Sequence, residues 1–254
     1  MLGVRGTGHP RTLSLIRCDK LMAMDEMTPA LASVLESAAR LQEVVPDAVL
    51  VGGAAAAWHA GHRDSFDHDH VLPDLAERFE LVLEAIEATD GWVTNRVTPG
   101  KIILGELGDI EAGVRQMIRR RPLETDAIQL PSGRTLRVPT LDETLRVKAF
   151  LIVRRNQTRD FLDVAALADR MGLDRAARVL AEIDTFYADQ RGEGDGVATQ
   201  VARQLAEPRP RDARTTRELA RYKRLAPRWH DWRAVVDVCR ALADLMLDLP
   251  GTSP

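Results

Sequence analysis

From Thr28 onward, apolar residues recur at helical spacing: Leu31, Val34, Leu35, Ala38 and Leu41 fall on one face. That spacing predicts a helix to about residue 43. Thr28 is a good N-cap and Pro29 suits the first helical position. Pro46 ends the helix, and Asp47 to Val51 reads as a short buried strand that stops at Gly52-Gly53. Ala54 to Ala60 is a short helix closed near Gly61. Phe66 to Val71 alternates apolar positions with Asp67 and Asp69 and fits a strand, its flanks Phe66 and Val71 pointing to burial. Asp74 is placed to cap a helix running to about Ala88. Three strands follow, Trp92 to Val97, Lys101 to Leu104 and Ile110 to Arg115, separated by Pro99-Gly100 and Gly108. Ala127 to Leu130 and Thr135 to Val138 form a hairpin around Pro131-Ser132-Gly133.

Beyond Pro139 the pattern is helical. Thr140 with Glu143 makes a capping box that launches a helix through about Arg155. Thr158 caps the next helix and Gly172 ends it. Further helices are expected over Asp174 to Asp189, 199–207, 212–224 and Trp232 to Leu247, with a joint at Gly192 to Gly196. The expected architecture is α/β (α+β): a mixed β-sheet with flanking helices, followed by a C-terminal helical domain. The boundaries are a flexible arm over 1–24, a core domain over 25–139 and a helical domain over 140–254.

Composition narrows the class. The 254 residues are 45% hydrophobic and 29% charged with a net charge of -3, which fits a folded soluble protein. A weakly acidic chain binds nucleic acid only through a local patch. No apolar run reaches the roughly 20 residues of a membrane span. Cys18 and Cys239, far apart and in no metal-type or redox-type pair, suit a reduced, cytoplasmic setting.

The chemistry concentrates between residues 52 and 69. Glycines at a strand-to-helix turn let phosphates approach the backbone and the helix N-terminus. On a strand, Asp67 and Asp69 point to the same face, and two neighbouring carboxylates repel unless a cation joins them. Magnesium takes hard oxygen ligands and keeps several waters, so two carboxylates plus phosphate oxygens suffice. Arg63 and Ser65 are in reach of phosphate oxygens. His68 and His70 alternate with the two acids and face the other way; with His59 and His62 they are read as packing or substrate-contacting residues rather than zinc ligands. Arg115, Arg119, Arg120 and Arg121 read as a solvated run.

Gly-Gly, thirteen residues, then Asp-x-Asp resembles the signature of the DNA polymerase β-like nucleotidyltransferase superfamily. The stretch His62-Arg63-Asp64-Ser65-Phe66-Asp67-His68-Asp69, with Lys148 in Arg146-Val147-Lys148-Ala149-Phe150 and Asp163 in Arg159-Asp160-Phe161-Leu162-Asp163, is similar to the AbiEii-type (MenT-like) nucleotidyltransferase toxins. The resemblance implies magnesium on Asp67 and Asp69, triphosphate on Gly52 and Gly53, phosphate charge neutralised by Lys148, and Asp163 orienting substrate or the lysine, with Asp160 competing for that role. The superfamily also carries a third carboxylate on a neighbouring strand. Asp109 and Glu111 both qualify, and Glu111, inside the strand, is preferred. The implied activity is transfer of a nucleoside monophosphate from a nucleoside triphosphate to an acceptor hydroxyl. The implied setting is the toxin of a toxin–antitoxin system, with the 3′ end of tRNA as acceptor and a cognate antitoxin as partner.

Arg217, Arg221 and Arg224 belong to an arginine-rich tail with Tyr222, Lys223, Trp229 and Trp232 nearby, a composition that suits a phosphate backbone and stacked bases. Two further readings remain open. One is a small-molecule transferase of the aminoglycoside-modifying kind, which needs an acidic drug pocket and no arginine-rich helices. The other is a nucleotide- or RNA-binding protein without turnover.

Overall fold

A computed structural model of the chain describes residues 27–190 and 194–249. The expected arm over 1–24, Cys18 and part of the joint at 192–196 lie outside the described residues. Helix α1 (Pro29–Val44) begins as its caps require. Thr28 accepts from the Leu31 N–H at 3.2 Å and donates its own hydroxyl to Asp64 at 2.6 Å. Strand β1 (Val49–Val51) runs into helix α2 (Gly52–Ala60), and strand β2 (Asp67–Leu72) returns beside it. Helix α3 (Phe79–Glu87) precedes β3 (Trp92–Thr98), β4 (Ile102–Leu107) and β5 (Ile110–Gln116). The five strands form one sheet in the order β1-β2-β5-β4-β3. Only β2 and β5 pair in parallel; the other pairs are antiparallel. Strands β6 (Thr125–Gln129) and β7 (Thr135–Pro139) make a separate hairpin.

Helices α4 (Leu141–Arg155), α5 (Thr158–Met171), α6 (Leu173–Ala181), α7 (Ile183–Phe186), α8 (Val197–Ala206), α9 (Ala213–Arg217) and α10 (Trp232–Leu247) complete the described chain. The fold class is therefore the one expected. Several local expectations give way to stronger local chemistry. Asp74 caps a turn instead of a helix: its carbonyl accepts from the Glu77 and Arg78 N–H groups and its carboxylate binds Arg78 at 2.8 Å, so α3 waits until Phe79. The helix expected over 174–189 breaks into α6, α7 and a 3-10 turn over Ala188–Gln190. The one expected over 212–224 stops at Arg217, gives a 3-10 turn over Leu219–Arg221 and then enters the left-handed region at Lys223 and Arg224. Thr140 caps α4 through the Glu143 N–H, but Glu143 turns its carboxylate to Arg119 and Arg146, so only half of the capping box forms. Gln157, not Thr158, is the N-cap of α5; the Thr158 hydroxyl bonds Asp212 and Thr216. Phe66 is half exposed rather than buried.

The run Ala54-Ala55-Ala56-Ala57 explains how the two halves meet. Ala54, Ala55 and Ala57 pack with α1 and the β6–β7 hairpin, while Ala56 belongs to the core of the C-terminal helices. A helix that must lie close to neighbours on both sides has room only for methyl groups. Ala56→Leu should therefore overpack the join, costing about 1–3 kcal/mol. A melting temperature lowered by several degrees is the expected readout, and an unchanged one would show that the join is loose.

Candidate active site

Strand β2 is an inner strand, and its alternation is the one its composition demands. Asp67, Asp69 and Val71 point to a partly open face, while His68, His70 and Leu72 are buried beneath. Register sets Asp67 beside Glu111, Asp69 beside Gly113 and Val71 beside Arg115 on β5. The two acids thus share a face, with side chains 37% and 32% exposed. Glycines flank Asp69 on both sides. A Cβ on Gly113 would stand 3.0 Å from its Oδ1, and one on Gly52, where φ is +74°, 3.4 Å from its Oδ2. Gly53 approaches equally closely: a Cβ there would stand 2.8 Å from the Ser65 hydroxyl and 3.0 Å from the Arg63 guanidinium. Helix α2 therefore presents its N-terminal turn, whose first N–H groups lack intrahelical partners, directly to the carboxylate pair.

A cavity of about 190 Å³ opens here, lined by Gly52, Gly53, Arg63, Asp67, Asp69, Lys148, Tyr222 and Lys223. A second space of about 660 Å³ adjoins the acids, where Glu111 joins Arg96, Arg115, Arg155 and Arg159. The acids line both spaces, together with Arg115, Arg155 and Arg159.

The two carboxylates do not face each other unscreened. Lys223 Nζ lies 3.0 Å from Asp67 Oδ1, and the Ser65 hydroxyl donates to the same oxygen at 3.3 Å. Burial pushes the Asp67 carboxyl up, but Lys223, then Arg63 and Ser65, outweigh it and hold the group below its ordinary value. Arg115 Nε donates to Asp69 Oδ1 at 3.1 Å. Ser65 itself is fully buried and does not line the cavity. Its hydroxyl instead lies against Gly53, behind the cavity wall, and steadies Asp67.

Behind the pair stands a buried ionic cluster. The carboxylate of Asp163 on α5 accepts from Arg63 Nε at 2.8 Å and Nη2 at 3.0 Å. It also lies 2.7 Å from Lys148 Nζ and 2.8 Å from His62 Nε2. All four side chains are almost wholly buried. Burial would raise the Asp163 carboxyl; Arg63, then Lys148 and His62, hold it well below the usual carboxylate range. Asp163 also raises the Arg63 guanidinium against the opposing effect of burial. The cluster keeps one positive charge in excess and aims Arg63 and Lys148 at the cavity. Asp160, one turn earlier, has a different duty: it grips Arg155 with two bonds of 2.6 Å and presents that side chain to both spaces.

Glu111 shares the acids' face but sits exposed at the start of β5. Asp109 lies in the turn before it. Among the described residues no three acids or imidazoles lie close enough to form a common ligand group. His59 bonds the Pro139 carbonyl at 2.8 Å, and His68 meets the Ser37 hydroxyl at 3.1 Å. Arg217, Arg221 and Arg224 are all exposed, but the broken helix denies them a common helical face. The arginine run at 115–121 is not simply solvated. Arg115 holds Asp69, Arg119 is buried against Glu143 at 2.7 Å, and Arg121 stacks on Phe186.

The chain as a whole aligns with a solved protein. Over 92% of this chain and 91% of that one, the structure aligns with MenT4, a nucleotidyltransferase toxin from Mycobacterium tuberculosis, at a TM-score of 0.57 and 20% sequence identity. The chain has the MenT-like nucleotidyltransferase fold. In this chain the sheet face bearing Asp67 and Asp69 and the helix bearing Lys148 line one cavity. No protein-family model matches the sequence. The chain is 41% identical over 130 residues, 51% of its length, to the mycolic acid-containing lipids exporter MmpL11 of Mycolicibacterium smegmatis, covering 13% of that protein. It is 32% identical over 207 residues, 70% of its length, to the heme uptake protein MmpL11 of Mycobacterium tuberculosis, covering 19% of it. The chain thus spans less than a fifth of the curated relatives it matches. Among the described residues no helix is long and apolar enough to cross a membrane.

Two stability predictions follow from the buried charges. Asp163→Asn keeps the shape but strands Arg63 and Lys148 without a counter-charge, at a cost of about 3–5 kcal/mol. Because the folded Asp163 carboxyl is depressed, its contribution is present above the unfolded value and is lost as pH falls through the folded one. Denaturant melts should therefore show the gap between wild type and variant at neutral pH, narrowing only below about pH 4; equal stabilities at pH 7 would contradict the cluster's role. The histidines act in a second window. Burial lowers His62, lowers His68 from 6.5 to about 4 and holds His70 well below its ordinary value. Each is neutral in the fold while the unfolded chain takes up protons below about 6.5. Stability should fall from pH 6.5 downward, by up to ~1.4 kcal/mol per pH unit for each such group. Equal unfolding free energies at pH 7 and pH 5 would refute it.

Proposed function

We propose that the chain is a metal-dependent nucleotidyltransferase that moves a nucleoside monophosphate from a nucleoside triphosphate to an acceptor hydroxyl, releasing pyrophosphate. One observation carries the reading: Asp67 and Asp69 share one sheet face at a glycine-lined cavity, opposite a buried Lys148 held by Asp163. The donor set fits magnesium. It offers hard carboxylate oxygens, partly open and with no imidazole on that face, because His68 and His70 are buried on the other. Bound there, the ion would polarise the reacting phosphate and neutralise charge on the leaving pyrophosphate.

The rest of the task falls to the chain itself. The N-terminal turn of α2 at Gly52 and Gly53 receives phosphate oxygens on backbone N–H groups. Lys148 and Arg63, held at fixed positions by Asp163, place two cations beside them without any reorganisation at the moment of reaction. A low-dielectric surround strengthens those charges. Glu111 stands on the same face, available to the acceptor side.

For the acceptor we favour RNA, with the 3′ end of tRNA as the specific candidate, in the cytoplasm and as the toxin of a toxin–antitoxin pair. The support is the second space: Arg96, Arg115, Arg155 and Arg159 line it with the acids, a setting for a polyanion. An aminoglycoside-type pocket would need acidic walls there instead. The exposed Arg217, Arg221 and Arg224 can extend contact to RNA, though not as one helical face.

The test uses labelled nucleoside triphosphates, magnesium and total tRNA. Label should enter RNA, and Asp67→Ala or Asp69→Ala should lower transfer by at least about a hundredfold, together with any growth arrest on expression. A double variant that still labels RNA at the wild-type rate would sink the metal mechanism. Label appearing on aminoglycosides and not on RNA would replace the acceptor.

A further inference from the structure

Lys223 brings to Asp67 a cation that neither β2 nor the helices of the Asp163 cluster supply. It comes from 156 residues along the chain. Its backbone is pinned to the loop before β2: the Asp64 N–H donates to the Lys223 carbonyl at 2.9 Å, and the Ala226 N–H donates to the His62 carbonyl at 2.8 Å. Lys223 and Arg224 hold φ values of +42° and +49°, a region that side-chain-bearing residues adopt reluctantly. Two successive left-handed residues direct the lysine across the exposed Phe66 ring, 5.9 Å away, onto the carboxylate. The same strap sets Tyr222 over the Arg63 guanidinium in the cavity wall.

We propose that Lys223 is a substrate-positioning residue that acts as a stand-in cation. It neutralises Asp67 until a divalent ion takes that oxygen, and then pairs with the triphosphate in the adjoining cavity. The second half rests on the nucleotidyltransferase reading; the first does not. The exchange is feasible on three counts. The pair is about one-third exposed on each side, so it holds only modestly against a competing dication. A lysine is a point charge on a flexible stem and can swing away while its backbone stays anchored. And Lys223 lines the cavity with Gly52 and Lys148, so its ammonium has a phosphate-binding space to enter. A mere surface ion pair would explain the 3.0 Å contact but not the pinned left-handed backbone that delivers it.

The measurement is a titration of Mn²⁺ into the metal- and nucleotide-free protein, following free Mn²⁺ by electron paramagnetic resonance, for wild type, Lys223→Gln and Lys223→Arg. The Gln variant should bind Mn²⁺ roughly two- to fivefold tighter, while the Arg variant, which keeps the charge, should resemble wild type. In transfer assays the Gln variant should raise KM for the nucleoside triphosphate about tenfold or more, with kcat changed less. Mn²⁺ affinity in the Gln variant equal to or weaker than wild type overturns the stand-in role, and an unchanged KM overturns the phosphate contact. A protein that transfers nothing yet shows the Mn²⁺ shift loses the transferase reading while keeping Lys223 as counter-ion.

Discussion

The site depends on one buried carboxylate. Asp163 lies on α5, in the helical half, yet its oxygens are shared between Arg63 from the loop before β2 and Lys148 from α4. Without it, two cations would be buried with no counter-charge, which a low-dielectric interior does not tolerate. With it, the loop, α4 and α5 are fixed relative to one another by four short contacts, His62 included. The arrangement is specific because each donor has a different stem. Arg63 offers a planar fork to both oxygens, Lys148 a single point charge, and His62 a neutral ring.

That cluster also sets the electrostatics of the cavity. Arg63 and Lys148 exceed the single charge of Asp163, and Lys223, Arg115 and Arg155 stand around Asp67 and Asp69. The proposed polyphosphate and divalent ion would meet that balance of charge. Burial of His68 and His70 behind β2 completes the division. The imidazoles are kept neutral and out of the cavity, so the open face of the strand is left to oxygen donors.

Much of this was legible in the sequence because it rests on short-range rules. Period-two alternation placed Asp67 and Asp69 on one face and the histidines on the other, and Gly52-Gly53 marked the turn that brings α2 to them. Lys148 stood out as a charge on an apolar helix face, and the resemblance supplied Asp163. What could not be read was long-range. Nothing local to Lys223 or Tyr222 says that they return to the loop before β2, and the helical pattern over 212–224 argued against the left-handed bend that takes them there. Arg155 and Asp160 form a pair only because the chain turns at Asn156, in the left-handed region, between two helices. Gly113 did leave a signal that went unused: a glycine inside a strand commonly marks a close approach, and here the approaching group is Asp69.

The basic tail is tied to the same site. Read along the sequence, its arginines looked like a helical surface for RNA, separate from the chemistry. In three dimensions the segment is a strap whose backbone hydrogen-bonds to residues 62–64 and whose lysine touches Asp67. Those bonds fix the segment to the loop before β2. Any polyanion drawn to Arg221 or Arg224 would therefore bear on the same loop that positions Arg63 and Asp67. Through Tyr222 and Lys223 the tail forms part of the cavity wall, while Arg217, Arg221 and Arg224 stay exposed.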